Sequence, residues 1–111
     1  VALVKSKSLQ GLMLVNLDPA SVGLTPADCK ALDICVALTC KAGADYAAYQ
    51  LPLANWLERD GTVTALSGEQ VVQKRSLAPA GVSAELCWVI SNLSRRLGTE
   101  LPAAWGAYST K

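Results

Sequence analysis

The sequence predicts an α+β fold in which an N-terminal β-hairpin and an antiparallel β-meander are followed by two C-terminal α-helices. Three observations carry this prediction. Strict apolar–polar alternation runs through residues 32–41, the period of a half-buried strand. Turn signals punctuate the middle of the chain at Ala42–Asp45, Asp60-Gly61 and Ser67-Gly68. Beyond residue 83 the apolar period lengthens, with Leu86, Val89, Ile90, Leu93 and Leu97 recurring at helical steps. Strands first and helices last define the class.

The first seventeen residues divide at Gln10-Gly11 into ALVKSKS and LMLVNL, two short runs that read as the arms of a hairpin. Asp18-Pro19 then breaks the chain. Two readings compete over residues 25–41. Thr25, Pro26 and Asp28 form a helix start, with Thr25 as N-cap and Pro26 in the first turn. From Leu32 onward, however, Leu32, Ile34, Val36, Leu38 and Cys40 share one parity, and Asp33, Cys35, Ala37, Thr39 and Lys41 the other. The alternation supports a strand over residues 31–41, with its larger aliphatic side chains turned to the core; a helix over 25–40 is the competing assignment.

Residues 46–57 return as a second strand, irregular at Pro52 because proline cannot donate to a ladder. Strands over 62–66 and 70–77 complete a sheet spanning 31–77. Ser83 is a suitable N-cap for the long helix and Gly98 a suitable stop; Arg95 and Arg96 in its last turn complement the helix dipole. Pro102 fits the first turn of a second helix ending near Tyr108. Only a few residues join the last strand to this helix pair over 83–108, so its stripe is expected to cross onto another chain. That implies an obligate homodimer, with Leu86, Val89, Ile90, Leu93, Leu97 and Trp105 at the interface.

At 111 residues the chain is expected to form one domain. Its formal charge is +1 and half its residues are apolar, which fits neither a disordered chain nor a polybasic tail. No apolar run approaches the roughly 18 residues that cross a bilayer, so a soluble, cytosolic protein without a membrane partner is expected. No histidine is present, and neither a phosphate loop nor a nucleophile elbow occurs; no catalytic residue is assigned. Cys29, Cys35, Cys40 and Cys87 lack the paired spacing of a zinc site. Thiols and disulfides both remain open, and no metal, cofactor or small-molecule substrate is expected.

The chain resembles the coat proteins of single-stranded RNA bacteriophages, the levivirus group. The likeness lies in the C-terminal VSAELCWVISNLSRRLGTELPAAWGAYSTK, in LMLVNLDPASVG, and in LDICVALTCK followed by YAAYQLPLA. It implies dimers whose helices lie across each other's sheets, and an icosahedral shell assembled in the bacterial cytoplasm. The open sheet face would package viral RNA and, in some members, repress translation through an RNA hairpin. On that face the resemblance places Thr39, Lys41, Tyr46, Gln50, Gln73, Lys74 and Arg75, with Tyr46 stacking on a base and the cations meeting phosphates. Asp33 on the same parity departs from a basic RNA face. The alternative is a small dimeric α+β interaction module that builds no shell and binds no RNA.

Overall fold

A computed structural model of the chain describes residues 1–99 and Leu101. It divides into two compact units, Val1–Pro52 and Leu53–Lys111. The predicted second helix, with Trp105 and Tyr108, lies outside the described residues.

The first unit opens with a four-residue helix, α1 (Ala2–Lys5), which buries Val4. The apolar run after Gly11 forms strand β1 (Gly11–Val15). A 3₁₀ turn follows at Pro19–Val22, with Asp18 as N-cap. Helix α2 (Pro26–Lys30) comes next, and the chain enters strand β2 (Ile34–Thr39) and then strand β3 (Tyr49–Pro52).

All three strands are parallel, in the order β1-β2-β3. Leu12 pairs with Cys35 and Leu14 with Ala37; on the other side of β2, Ala37 pairs with Gln50 and Leu38 with Leu51. This overturns the N-terminal hairpin and the antiparallel meander. A hairpin needs its second arm beside its first, but residues 1–10 contain a helical turn and β1 pairs with a strand that begins 19 positions after its own end. The connection between β1 and β2 is long enough to return the chain to the start of the sheet, as a parallel pair requires.

Both readings of residues 25–41 hold for part of the segment. Thr25 and Asp28 form a reciprocal capping box: the Asp28 backbone N–H donates to Thr25 Oγ1 at 3.2 Å, and the Thr25 backbone N–H to Asp28 Oδ2 at 2.8 Å. That cap starts a helix of only five residues, after which the alternating stretch is a strand. The parity of that strand is reversed at Ile34, Cys35 and Ala37, whereas Leu38, expected in the core, is fully buried as predicted. Cys35 and Ala37 are buried, whereas Ile34 is 46% exposed. Because α2 runs directly into β2, it packs on the face nearest its own end, where small side chains permit close approach. The resulting core joins Val4, Leu14, Leu24, Cys29 and Cys35, with Leu12, Leu32, Tyr46 and Ala47 against it. On the opposite parity Met13, Val15 and Leu51 are exposed, but Leu38 between the last two is fully buried.

The second unit begins at buried Leu53 and Ala54. Leu53 bridges Ala84, and the Ala54 N–H donates to the Ala84 carbonyl at 2.9 Å. The long strand expected over 46–57 ends at Pro52, where the ladder loses its donor, and a 3₁₀ turn occupies Trp56–Glu58. Asn55 and Glu58 cap that turn reciprocally. Strands β4 (Gly61–Thr64) and β5 (Gln70–Gln73) pair antiparallel as a hairpin. The turn predicted at Ser67-Gly68 joins them, and the Ala65 N–H donates to the Glu69 carbonyl at 2.8 Å. Asp60-Gly61 does not join two strands. Asp60 instead accepts the Arg75 backbone N–H at 2.9 Å.

The main helix, α3 (Leu86–Arg96), starts later than the Ser83 cap implies, with Glu85 as N-cap and no side-chain cap bond. Its end matches the sequence: Gly98 adopts a φ of +69°, the left-handed conformation of a helix stop. The predicted stripe faces the wrong way along its C-terminal half. Ser91 and Ser94 are buried, while Leu93 is 40% and Leu97 71% exposed. The antiparallel meander does not describe this chain: the described residues hold a three-stranded parallel sheet, a two-stranded antiparallel hairpin and one main helix.

Candidate ligand-binding site

In an open parallel sheet the strands point their carboxyl ends at one edge, and the loops leaving them line a crevice there. This sheet has such a crevice. Asn16, Leu17 and Asp18 leave β1, Thr39 through Ala44 leave β2, and Tyr46 stands beside them, enclosing about 340 Å³. That volume lies near the lower end of small-molecule pockets.

Asn16 holds the two strand ends together. Its backbone N–H donates to the Leu38 carbonyl at 2.8 Å, while its side-chain Oδ1 accepts the Cys40 N–H at 3.1 Å. The residue sits at a φ of +47°, a region where asparagine is enriched among non-glycine residues. Two residues on, Asp18 Oδ1 accepts the Ala20 N–H at 3.0 Å, which fixes the carboxylate at the start of the 3₁₀ turn. Across the crevice, Thr39 Oγ1 accepts the Lys41 N–H at 3.1 Å and folds the chain sharply out of β2. Gly43, at a φ of +84°, completes the reversal in a conformation that side chains disfavour.

Tyr46 is half-buried and packs on the core around Cys29 and Cys35. Burial raises its pKa above the ordinary phenol value, with smaller contributions from Asp18, Cys35 and Cys29. At neutral pH it is therefore a neutral hydroxyl that can donate or accept. Lys41 is exposed at the rim. The crevice thus combines one cation, one carboxylate, an amide and a phenol on a backbone fixed by hydrogen bonds.

Of the residues expected to meet RNA, the structure brings Thr39, Lys41 and Tyr46 together here. Gln50 lies on exposed β3 in the same unit. The remaining three belong to the second unit. Gln73 ends β5, where its Nε2 donates to the Trp56 carbonyl, and it lines a smaller cavity of about 230 Å³ with Arg59, Thr62, Glu85 and Leu86. Lys74 is exposed beyond β5, and Arg75 is exposed and held through its backbone by Asp60. No single sheet face carries all seven.

Among the residues expected at a dimer interface, Leu86, Val89 and Ile90 are half-buried on α3, and Leu93 and Leu97 are exposed. Asn16, Asp18 and Gly43 were not expected at a site. The signal for Asn16 and Asp18 was the polar Asn-Leu-Asp that ends the apolar run LMLV, which gains a meaning once the strand is known to be parallel, and Gly43 lay in the turn read at Ala42–Asp45. Among the described residues, no three His, Cys, Asp or Glu side chains are grouped to hold a metal, and no helix is long and apolar enough to cross a membrane. No protein-family model matches the chain, and no curated protein matches it.

Proposed function

We propose that this chain is a small-molecule-binding α+β module whose ligand occupies the crevice at the carboxyl ends of β1 and β2. The observation that carries this reading is the convergence of Asn16, Asp18, Lys41 and Tyr46 on one cavity at the edge of a parallel sheet. The ligand is a small polar compound bearing a negative group for Lys41 and a hydroxyl or amine for Asp18. Binding, with no chemical step, is the activity assigned.

The RNA-coat reading now stands on the sequence likeness alone. Its structural content was an open antiparallel sheet face presenting Thr39 to Arg75 as one surface, and the parallel sheet with its separate hairpin does not provide that surface.

The test is a nuclear magnetic resonance titration with a panel of small phosphorylated and carboxylated polyols and amines. A true ligand shifts the amides of residues 16–18 and 39–46 together, and Lys41→Ala weakens it roughly tenfold to a hundredfold, the value of one charge-assisted hydrogen bond. Size-exclusion chromatography with the ultraviolet absorbance ratio checks the rival reading on the same sample. Uniform shells carrying nucleic acid would overturn the module in favour of a coat.

A further inference from the structure

The parallel sheet has two faces, and the core of its unit lies on one of them. Leu12, Leu14 and Cys35 point to that core, which Val4 of α1 and Cys29 of α2 complete. Side chains alternate along a strand, and paired residues share a face. The other face therefore carries Met13 and Val15 of β1, Ile34 and Leu38 of β2, and Tyr49 and Leu51 of β3. Leu38 is covered, but the other five are between 37% and 61% exposed. At the β1 edge Ile34 lies against Gly11, where a Cβ would meet Ile34 Cγ2 at 2.8 Å. The apolar surface thus continues across that edge.

We propose that this face is the contact surface between two copies of the chain, packed sheet on sheet about a twofold axis with β2 of each copy over β2 of the other. Parallel sheets occur almost only with both faces covered. The five exposed side chains present about 400 Å² per copy, the size at which an apolar patch marks an interaction site. Doubled across a twofold axis and extended by its rim, that area reaches roughly the 1,000 Å² a specific interface needs.

Charge selects the partner. No strand position on this face carries a charged side chain, and the one polar group is the Tyr49 hydroxyl on edge strand β3. Such a face has nothing with which to orient a charged partner, while two identical copies meet on it without like-charge repulsion. Interfaces between identical subunits are also the more apolar class, and a twofold axis makes one patch its own complement. The surface is separate from the crevice, whose Asn16, Asp18 and Lys41 lie beyond the strand ends. The dimer therefore does not depend on a ligand there, and it differs from the one expected through α3.

Sedimentation equilibrium of the full chain in reductant, from about 1 µM to about 500 µM, tests the proposal. A monomer–dimer equilibrium with a Kd on the order of 10 µM is expected for an interface at the small end of the range. Ile34→Glu should weaken association at least about 100-fold, because each copy would bury an unpaired carboxylate. Far-ultraviolet circular dichroism checks that this exposed substitution leaves the fold intact. Tyr49→Ser introduces no charge and should weaken the dimer roughly tenfold; it reports on the same face if the glutamate variant does not fold. Leu97→Glu, beyond the end of α3, should leave the Kd unchanged. A chain that stays monomeric at the highest concentration overturns the proposal and leaves the face to a different protein. So does a dimer that Leu97→Glu dissociates and that Ile34→Glu and Tyr49→Ser leave intact.

Discussion

The two units solve the same problem, pairing short strands, in opposite ways. In Val1–Pro52 the strands run parallel; in Leu53–Lys111 the two strands run antiparallel. The difference lies in the connections. Between β4 and β5 stand residues 65–69, a tight turn that leaves the chain no route except back alongside itself. Between β1 and β2 stand residues 16–33, with a 3₁₀ turn and α2, which carry the chain back to the start of the sheet. Alternation identifies a strand, but the connector sets its direction, and direction decides where a site can form. A parallel sheet gathers its strand ends at one edge, whereas an isolated hairpin has no such edge.

Burial follows the same division, and core truncation gives the largest contrast. Leu38 on β2 is fully buried, while Val71 on β5 is 49% exposed. Leu38→Ala should cost about 3 kcal/mol, the sum of lost transfer energy and the cavity left behind. Val71→Ala should cost no more than about 0.5 kcal/mol, as is usual for an exposed position. Urea denaturation of both variants measures the two costs directly. Equal costs would mean that the hairpin is part of a packed core, and the contrast between the units would fail.

The next effect is at the strand-end edge itself. Asn16→Ala removes the acceptor of the Cys40 N–H and places a less tolerant residue at a positive φ. A loss of about 1–2 kcal/mol is expected from the unpaired donor and the strained backbone together. Asn16→Gly relieves the backbone but leaves the donor unpaired, so it should recover part of the loss. If both variants were as stable as the parent, the crevice would not depend on Asn16 for its shape, and the asparagine would be free for ligand contact alone.

Much of this chain was legible as local structure and little of it as topology. The Thr25–Asp28 cap, the alternation after Leu32, the turn at Gly68 and the stop at Gly98 each follow from chemistry within a few residues, and each is present. What failed was everything that depends on a distant partner. The parity of β2 could not be read because Cys35 and Ala37 count as weakly apolar, yet small residues are what a closely packed α2 needs. The serine side of α3 is buried for reasons the stripe did not signal, and Ser91 Oγ has no hydrogen-bond partner among the described residues. The site was half visible. Thr39, Lys41 and Tyr46 were singled out for an antiparallel face, and they meet instead at a parallel edge whose other half, Asn16 and Asp18, lay 20 or more residues upstream.

The smallest effect concerns the cap that separates the two readings of residues 25–41. Thr25→Ala removes the Oγ1 that accepts the Asp28 N–H and should cost about 1 kcal/mol. Asp28 adds a pH dependence. Its pKa is held below the ordinary 3.8, first by the hydrogen bond from the Thr25 backbone N–H and then by the one from the Thr25 hydroxyl. A carboxyl group depressed on folding stabilises the protein fully above its unfolded pKa, and that contribution is lost as pH falls through the lower, folded value. The parent should therefore exceed Asp28→Asn in stability at neutral pH, and the gap should shrink below about pH 4. Thermal unfolding of the two proteins across this range decides the point. A gap that stays constant to pH 2 would show that Asp28 acts through a neutral hydrogen bond; α2 would then be held by its packing through Cys29 and not by the charge on its cap.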